Sequence, residues 1–314
     1  LFVLTNEPAI FPNAFLPIGQ KKLFLYDQHF NLFIKLYKKS LLPNKILLSG
    51  QSGLGKSTFV YHFINYILSD KEDYPYDSTN FTINSLNRSF RLIGQQYHPN
   101  FYLIENFIDK QTIDIKQVKN MISYMNKTSY DKKVKFILID NAEYLNLHSV
   151  NALLKVIEEP PSNTHVIITH NSTMKLVETL KSRCIEFKIY FSNQEKQKIL
   201  ENLLAYYDLK IDIHPLEKIQ SFYDSPGTIL NFIKLINEGV ININKVDLIN
   251  VISNLMAFNL KNKNNISLNL LQNIIELFFF KELKKTNNKY NISLNYSKTL
   301  ESLNSFRKYN IDMN

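Results

Sequence analysis

Cysteine is almost missing from this chain: Cys184 is the only one in 314 residues. A single thiol excludes an internal disulfide framework and any cysteine-based zinc site, and it fits a reducing, cytoplasmic setting. Long apolar runs are missing too. A membrane helix needs about 20 apolar residues, and the densest stretch, Ile274 to Phe280, is too short and carries Glu276, so it reads as a core helix. The start of the chain has no basic segment leading into a signal-type apolar stretch. Glycine is scarce as well, with 7 in the chain. Three of these fall in one run, Gly50-Gln51-Ser52-Gly53-Leu54-Gly55-Lys56-Ser57. With 45% hydrophobic and 13% aromatic residues the chain has ample material for packed cores, which excludes a disordered protein.

That glycine-bearing run matches G-x-x-x-x-G-K-[ST], the phosphate-binding loop of nucleoside triphosphatases. Glycines let backbone N–H groups turn inward as an anion nest. Lys56 is the candidate for neutralising the β- and γ-phosphates, Ser57 for ligating Mg²⁺, and Gly50 through Thr58 for cradling the nucleotide. The context agrees. Lys45 to Ser49 reads as a short buried strand, and Phe59, Val60, Phe63, Ile64, Ile67 and Leu68 recur at helical spacing just after the loop. A helix beginning there points its positive dipole end at the same phosphates.

A loop of this kind works with a carboxylate at the end of a neighbouring strand. The run Val134 to Ile139 predicts that strand, and Asp140 follows it as the candidate partner for Mg²⁺. The alternative for Asp140 is a helix cap. What is missing is the acid that hydrolysing members of the class carry next: here the residue is Asn141, whose amide orients water but takes no proton from it. Glu143 stands two residues on, beyond an expected turn. A further strand at His165 to Thr169 runs into His170-Asn171-Ser172, which either sense nucleotide or cap the next helix.

Strand-like and helix-like runs alternate over residues 1–190, including a candidate strand at Phe101 to Ile104, which predicts a parallel sheet covered by helices. Asp70 to Asn80, with Pro75, reads as a surface connection. From about Ser192 the texture is helical. Ile199, Leu200, Leu203 and Leu204 share one side, and Ser225-Pro226-Gly227 marks a turn into another helix. The expected division is an α/β P-loop domain at 1–190, a helical lid at 191–242 and an all-α domain at 243–314. No internal repeat of fixed period is found. The net charge of +9, from 37 Lys and Arg against 28 Asp and Glu, favours a polyanionic partner, with composition bias as the other explanation.

Three features taken together carry a resemblance: the phosphate loop, Ile139-Asp140-Asn141-Ala142-Glu143 followed by Asn151-Ala152-Leu153-Leu154-Lys155 and Glu158-Glu159-Pro160-Pro161, and Ser182-Arg183-Cys184. The chain resembles the AAA+ clamp-loader subunits, most of all the delta-prime type of bacterial DNA polymerase III, over about residues 18–238. The resemblance implies an AAA+ P-loop domain, a lid and a C-terminal collar. It also implies ATP with Mg²⁺, and a five-subunit ring with delta and gamma/tau subunits that places a sliding clamp on primer–template DNA. In that family the arginine at the position of Arg183 reaches into a neighbouring subunit's ATP site. Two departures point to weak or absent ATPase in this chain itself. One is Asn141, and the other is Thr228 in a lid turn with no arginine beside it. The four zinc-binding cysteines often found after the first helix are also missing, so no zinc is expected. A hydrolysing gamma/tau-type subunit is the alternative. Lys116, Lys119 and Lys127 are either DNA-facing or an ordinary solvated helix face, and Cys184 reads as packing.

Overall fold

The computed structural model describes residues 16–106, 112–127, 134–161, 163–209, 225–237 and 289–309, with isolated positions between 254 and 283. The chain divides into two compact units, one of residues 1–107 and 111–203, the other of residues 108–110 and 204–314.

The first unit is built on five strands: β1 (Lys45–Gly50), β2 (Phe101–Ile104), β3 (Lys135–Ile139), β4 (Thr164–Asn171) and β5 (Ile185–Lys188). All pair in parallel, in the order β2-β3-β4-β1-β5. This is the parallel sheet that the alternation of strand-like and helix-like runs predicts, with the phosphate-loop motif directly after its β1 strand. β1, β3 and β4 are buried almost throughout, as parallel strands covered on both faces must be.

One face carries α1 (Asp27–Lys38) and α2 (Lys56–Leu68). Phe30 and Phe33, one helical turn apart on α1, meet Phe59 and Phe63 of α2 edge-on, with ring centroids 5.0–6.4 Å apart. Phe33 also meets Phe187 of β5, and Phe63 meets Phe136 of β3, so the aromatic layer ties both helices to the sheet. α1 starts with Asp27 and ends with Lys35 and Lys38, charges that complement its dipole. The short α3 (Arg88–Gly94), capped by Asn87, precedes β2.

The opposite face carries α4 (Ile115–Asn126) and α5 (Leu147–Ile157), whose Val118, Met121, Met125, Val150, Leu153 and Ile157 form one core with Leu47, Ile137, Ile139, Val166 and Ile168. Asp114 and Gln117 make a reciprocal capping box that starts α4. α5 starts at the Asn146 cap and stops at Ile157, just ahead of Glu158-Glu159-Pro160-Pro161, because proline offers no N–H for a further turn. Between β4 and β5 lies one short helix, α6 (Glu178–Lys181). After β5, α7 (Asn193–Tyr206) buries Ile199, Leu200, Leu203 and Leu204, the stripe read from the sequence.

The strands at 45–50, 101–104, 135–139 and 164–171 fall where they are predicted, within one or two residues. β5 was not anticipated. It is an edge strand of four residues with charged Glu186 and Lys188 and a half-exposed pattern, the composition that protects an open sheet edge and hides the strand from a search for apolar runs.

In the second unit, α8 (Pro226–Asn237) begins with proline at its first position, where the missing N–H costs nothing. The Ser225 and Thr228 hydroxyls lie 2.6 Å apart at its start. α9 (Lys289–Tyr309) is the longest helix described. The expected end of the lid near Gly239, the start of the all-α domain near 243 and nearly all of the apolar run 274–280 lie outside the described residues. Among the described residues no helix is long and apolar enough to cross a membrane.

Candidate nucleotide site and the arginine edge

β1 delivers the phosphate loop to the carboxyl-terminal edge of the sheet, where parallel α/β sheets bind ligands. Gly53 and Gly55 take φ of 78° and 88°, left-handed values that glycine adopts without strain. Gly50 is needed for a different reason. A Cβ there would stand 2.5 Å from the Ile189 carbonyl oxygen, where the chain leaving β5 crosses the loop. α2 opens at Lys56, so its first N–H groups sit at the loop.

The Lys56 side chain is buried and folds back on its own loop, donating to the carbonyl oxygens of Gly50 and Gln51 at 2.8 Å each. Burial pulls its ammonium down to about 8, while Glu143 and then Asp140 favour the charged form. Ser57 Oγ donates to Asp140 Oδ1 at 2.5 Å, and Thr169 Oγ1 donates to the same oxygen at 2.5 Å. Thr169 Oγ1 in turn accepts from the Asn141 N–H at 2.9 Å. Ser57 and Asp140, chosen from sequence as the Mg²⁺ pair, are therefore in direct contact, 83 residues apart in the chain. The residues present fit Mg²⁺ and a triphosphate. A hydroxyl and a carboxylate meet beside a loop of backbone N–H groups, with a buried ammonium between the loop and two acids.

Asp140 is not a helix cap; it directly follows β3, and the chain then turns sharply, with Asn141 as the cap of the next turn. Asn141 takes φ of 56°, and Ala142–Tyr144 form a 3-10 turn. The turn carries Glu143 back to the site, where its Oε2 accepts from the Asn171 N–H at 3.1 Å. Asn171 Oδ1 accepts from the Ser52 N–H of the loop at 3.2 Å and from Thr173 N and Oγ1. Asn171 thus joins the tip of β4 to the phosphate loop and also caps its own turn. His170 Nε2 pairs with the Met174 carbonyl, and Ser172 N donates to Gly50 O. None of the three caps α6, whose N-cap is Val177.

Three contributors have no counterpart in the sequence reading. Thr169, fully buried, was read only as the end of a strand. Lys196 of α7 donates to Gln51 Oε1 at 3.1 Å. The Tyr26 hydroxyl donates to Leu54 O at 3.0 Å, and its ring stacks near Phe59. Glu143, noted in the sequence beyond an expected turn, is carried to the site by that turn, whose course is not readable from composition. For Thr169 the available signal was a hydroxyl closing an apolar strand run, just before His170-Asn171.

Arg183 lies elsewhere. Ile185 of β5 pairs with Ile46 of β1, and Arg183 precedes Ile185, so it sits at the amino-terminal edge of the sheet, away from Gly50. The strand from Ile46 to Gly50 alone separates these edges by about 13 Å, at about 3.3 Å per residue. Arg183 Nε and Nη2 donate to Glu158 Oε1 at 3.0 and 2.7 Å, and Nη1 donates to the Thr179 carbonyl at 3.0 Å. The pair is open to solvent, with 36% of the Arg183 side chain and 56% of that of Glu158 exposed. Lys45 Nζ reaches the Glu158 carbonyl at 3.4 Å, which fixes Glu158 at the same edge. Cys184 is half-buried, and burial pushes its thiol up to about 11, as expected of an inert packing cysteine. Lys116, Lys119 and Lys127 are exposed.

Residues 26–193 match the family described as DNA polymerase III, delta subunit. Among curated proteins the chain is 28% identical over 202 residues to the delta' subunit of DNA polymerase III from Buchnera aphidicola of Schizaphis graminum, covering 64% of this chain and 58% of that one. It is 26% identical over 162 residues to the delta' subunit of Pseudomonas aeruginosa, covering 52% and 48%. It is also 28% identical over 127 residues to a gamma subunit of DNA polymerase III from Buchnera aphidicola of Acyrthosiphon pisum, covering 40% and 35%. The chain spans about half the length of the curated relatives it matches. A solved gamma subunit-related protein of Thermotoga maritima aligns over 90% of this chain and 94% of its own at 12% identity and a TM-score of 0.42. The family match covers more than half of the chain and contains the loop, Asp140 and Arg183: this protein belongs to the DNA polymerase III delta subunit family, and delta-prime subunits are the members it resembles.

Proposed function

We propose that this chain is a delta-prime-type clamp-loader subunit that binds ATP with Mg²⁺, turns it over weakly or not at all, and lends Arg183 to the ATP site of a neighbouring subunit. The partners are gamma/tau and delta subunits in a five-membered ring, acting in the cytoplasm on a sliding clamp and primer–template DNA. The division into a P-loop domain at 1–190, a lid at 191–242 and a collar at 243–314 belongs to the same proposal.

Gly50 to Thr58 would hold the phosphates, Ser57 and Asp140 the metal, and Lys56 would exchange the loop carbonyls for phosphate oxygens. Bound Mg²⁺ would supply charge neutralisation between the phosphates. Weak turnover follows from Asn141, which accepts no proton from water, and from a lid turn with Thr228 where an arginine is expected.

The observation that carries the reading of Arg183 is the parallel register. An arginine level with the start of β1 is out of reach of a loop at the end of β1, so any triphosphate it grips belongs to another chain. Its charge is permanent, and its planar fork matches a phosphate. In the assembled loader, Arg183→Ala is expected to lower DNA-stimulated ATP hydrolysis at the site it serves on the order of 10³-fold, with the complex still intact on gel filtration. Unchanged turnover would overturn the proposal.

One observation favours a second reading, a hydrolysing gamma/tau-type subunit. Glu143 brings a carboxylate back beside Lys56 and Asn171, supplying the negative charge that Asn141 lacks. Steady-state phosphate release by the purified chain, lost in Glu143→Gln and in Lys56→Ala, would decide for it.

A further inference from the structure

Glu158 is the acid nearest Arg183, and its place in the chain is unusually well fixed. It is the C-cap of α5, directly after Ile157, with backbone angles that are still helical (φ −57°, ψ −47°), and its N–H donates to the Leu154 carbonyl. Pro160 and Pro161 bar the helix from continuing. The backbone that aims Glu158 therefore has little freedom, and its own carbonyl is held by Lys45.

The contact it makes is selective. A guanidinium has five N–H groups. One Glu158 oxygen takes Nε–H and one hydrogen of Nη2, and the Thr179 carbonyl takes one hydrogen of Nη1. The two N–H groups outside these contacts are one on each terminal nitrogen, the pair able to grip two oxygens of a phosphate. An exposed ion pair adds little to stability, so this one has little to offer the fold. What it does provide is a single orientation for a long side chain that otherwise samples many rotamers.

We propose that Glu158 is a positioning residue for Arg183: by holding the Nε edge of the guanidinium it fixes the terminal nitrogens for a neighbour's triphosphate. The inference rests on the trans-arginine reading above. Glu158 touches no substrate and acts only through Arg183. Because it orients a group that stabilises developing charge and not the bound ground state, its loss lowers kcat and spares KM.

The test uses the complete loader reconstituted with each variant of this chain. Glu158→Ala is expected to lower kcat for DNA-stimulated ATP hydrolysis about tenfold with KM for ATP within about twofold, a loss in the range that misplacing a reacting group produces. Glu158→Gln, which keeps an oxygen acceptor at the same place, is expected to restore turnover to within about threefold of the parent. In an Arg183→Ala background, Glu158→Ala is expected to add no further loss, as for two residues acting as one unit. Melting temperature and gel filtration of each complex check that folding and assembly are intact. If Arg183→Ala is impaired while Glu158→Ala matches the parent, turns over faster, or adds a separate loss to Arg183→Ala, the positioning role is wrong and the trans arginine stands. If Arg183→Ala itself is harmless, both fall together. The Gln variant keeps the question open to refutation should the Ala variant misfold: turnover as low as that of Arg183→Ala in a properly assembled Gln complex contradicts the proposal.

Discussion

The two edges of the same parallel sheet are built in opposite ways. At the carboxyl-terminal edge, Lys56 and Asp140 are nearly sealed from water and the cluster is held by internal hydrogen bonds: Lys56 to two carbonyls, Ser57 and Thr169 to Asp140, Asn171 to the loop and to Glu143. At the amino-terminal edge, Arg183 and Glu158 share one pair in open solvent. A site for the chain's own ligand gains by desolvation, since buried charge-assisted bonds are stronger and their geometry is set in advance. In its proposed role Arg183 must stay accessible until a neighbouring subunit arrives, and it can be restrained only by contacts that leave part of it bare.

The sharpest way to break this comparison is to exchange the effects of its two cations. Lys56→Ala is expected to weaken ATP binding by the isolated chain on the order of 100-fold, about 2.7 kcal/mol, whereas Arg183→Ala leaves that binding within twofold by calorimetry. Equal losses in both would mean that the two edges do not divide the work. The pH dependence sharpens the same point. Lys56 in the free site titrates at about 8, so it is charged and competent below that value. Above it, ATP affinity should fall by about tenfold per pH unit as a proton must be taken up on binding.

A smaller effect tests the packing that holds the carboxyl-terminal edge. Gly50→Ala sets a methyl carbon against the Ile189 carbonyl, 2.5 Å away and part of the backbone, and should destabilise the fold by about 2 kcal/mol in urea titration. Gly94→Ala at the end of α3 meets nothing within 4 Å and should be neutral or stabilising by up to about 1 kcal/mol. A neutral Gly50→Ala would show that β5 and the loop are less tightly locked.

The gentlest probe is acid. His62 of α2 is fully buried, with Nδ1 beside the Tyr76 hydroxyl and Nε2 on the Gln20 carbonyl, each at 3.0 Å. Burial lowers it to about 3, outweighing the Gln20 carbonyl, which favours the charged form. It is neutral in the folded protein while the unfolded chain takes a proton below 6.5. Its contribution is therefore intact above that pH and declines as pH drops toward 3, at up to about 1.4 kcal/mol per unit. His62→Gln, which can still accept from Tyr76 and donate to Gln20, should flatten the decline in melting temperature between pH 6.5 and 4.5. An unaltered slope would assign the acid sensitivity to other groups.

Much of this was legible before any coordinates. The glycine-bearing loop, Asp140 and four of the five strands follow from local pattern, because a buried parallel strand is a continuous apolar run and a phosphate loop needs its residues at fixed spacing. β5 was not legible, since an edge strand with Glu186 and Lys188 lacks that run. Thr169 escaped for another reason, and Glu143 was visible without its destination. Each belongs to the site only because a turn at Asn141 and the register of β3 against β4 bring them there. The pairing of Arg183 with Glu158 spans 25 residues and two elements, so both motifs were visible in the sequence while their contact was not.

The sequence by itself determined the spacing of the phosphate-loop motif, the candidates for holding phosphate and metal, and the Asn141 and Thr228 that stand where the resemblance leads one to expect an acid and an arginine, because these depend on side-chain chemistry at short spacing. Only the tertiary structure decided which groups share a site. Parallel pairing laid Asp140 and Asn171 beside the loop and carried Arg183 to the opposite edge, and no local pattern encodes a separation that arises from how distant strands align.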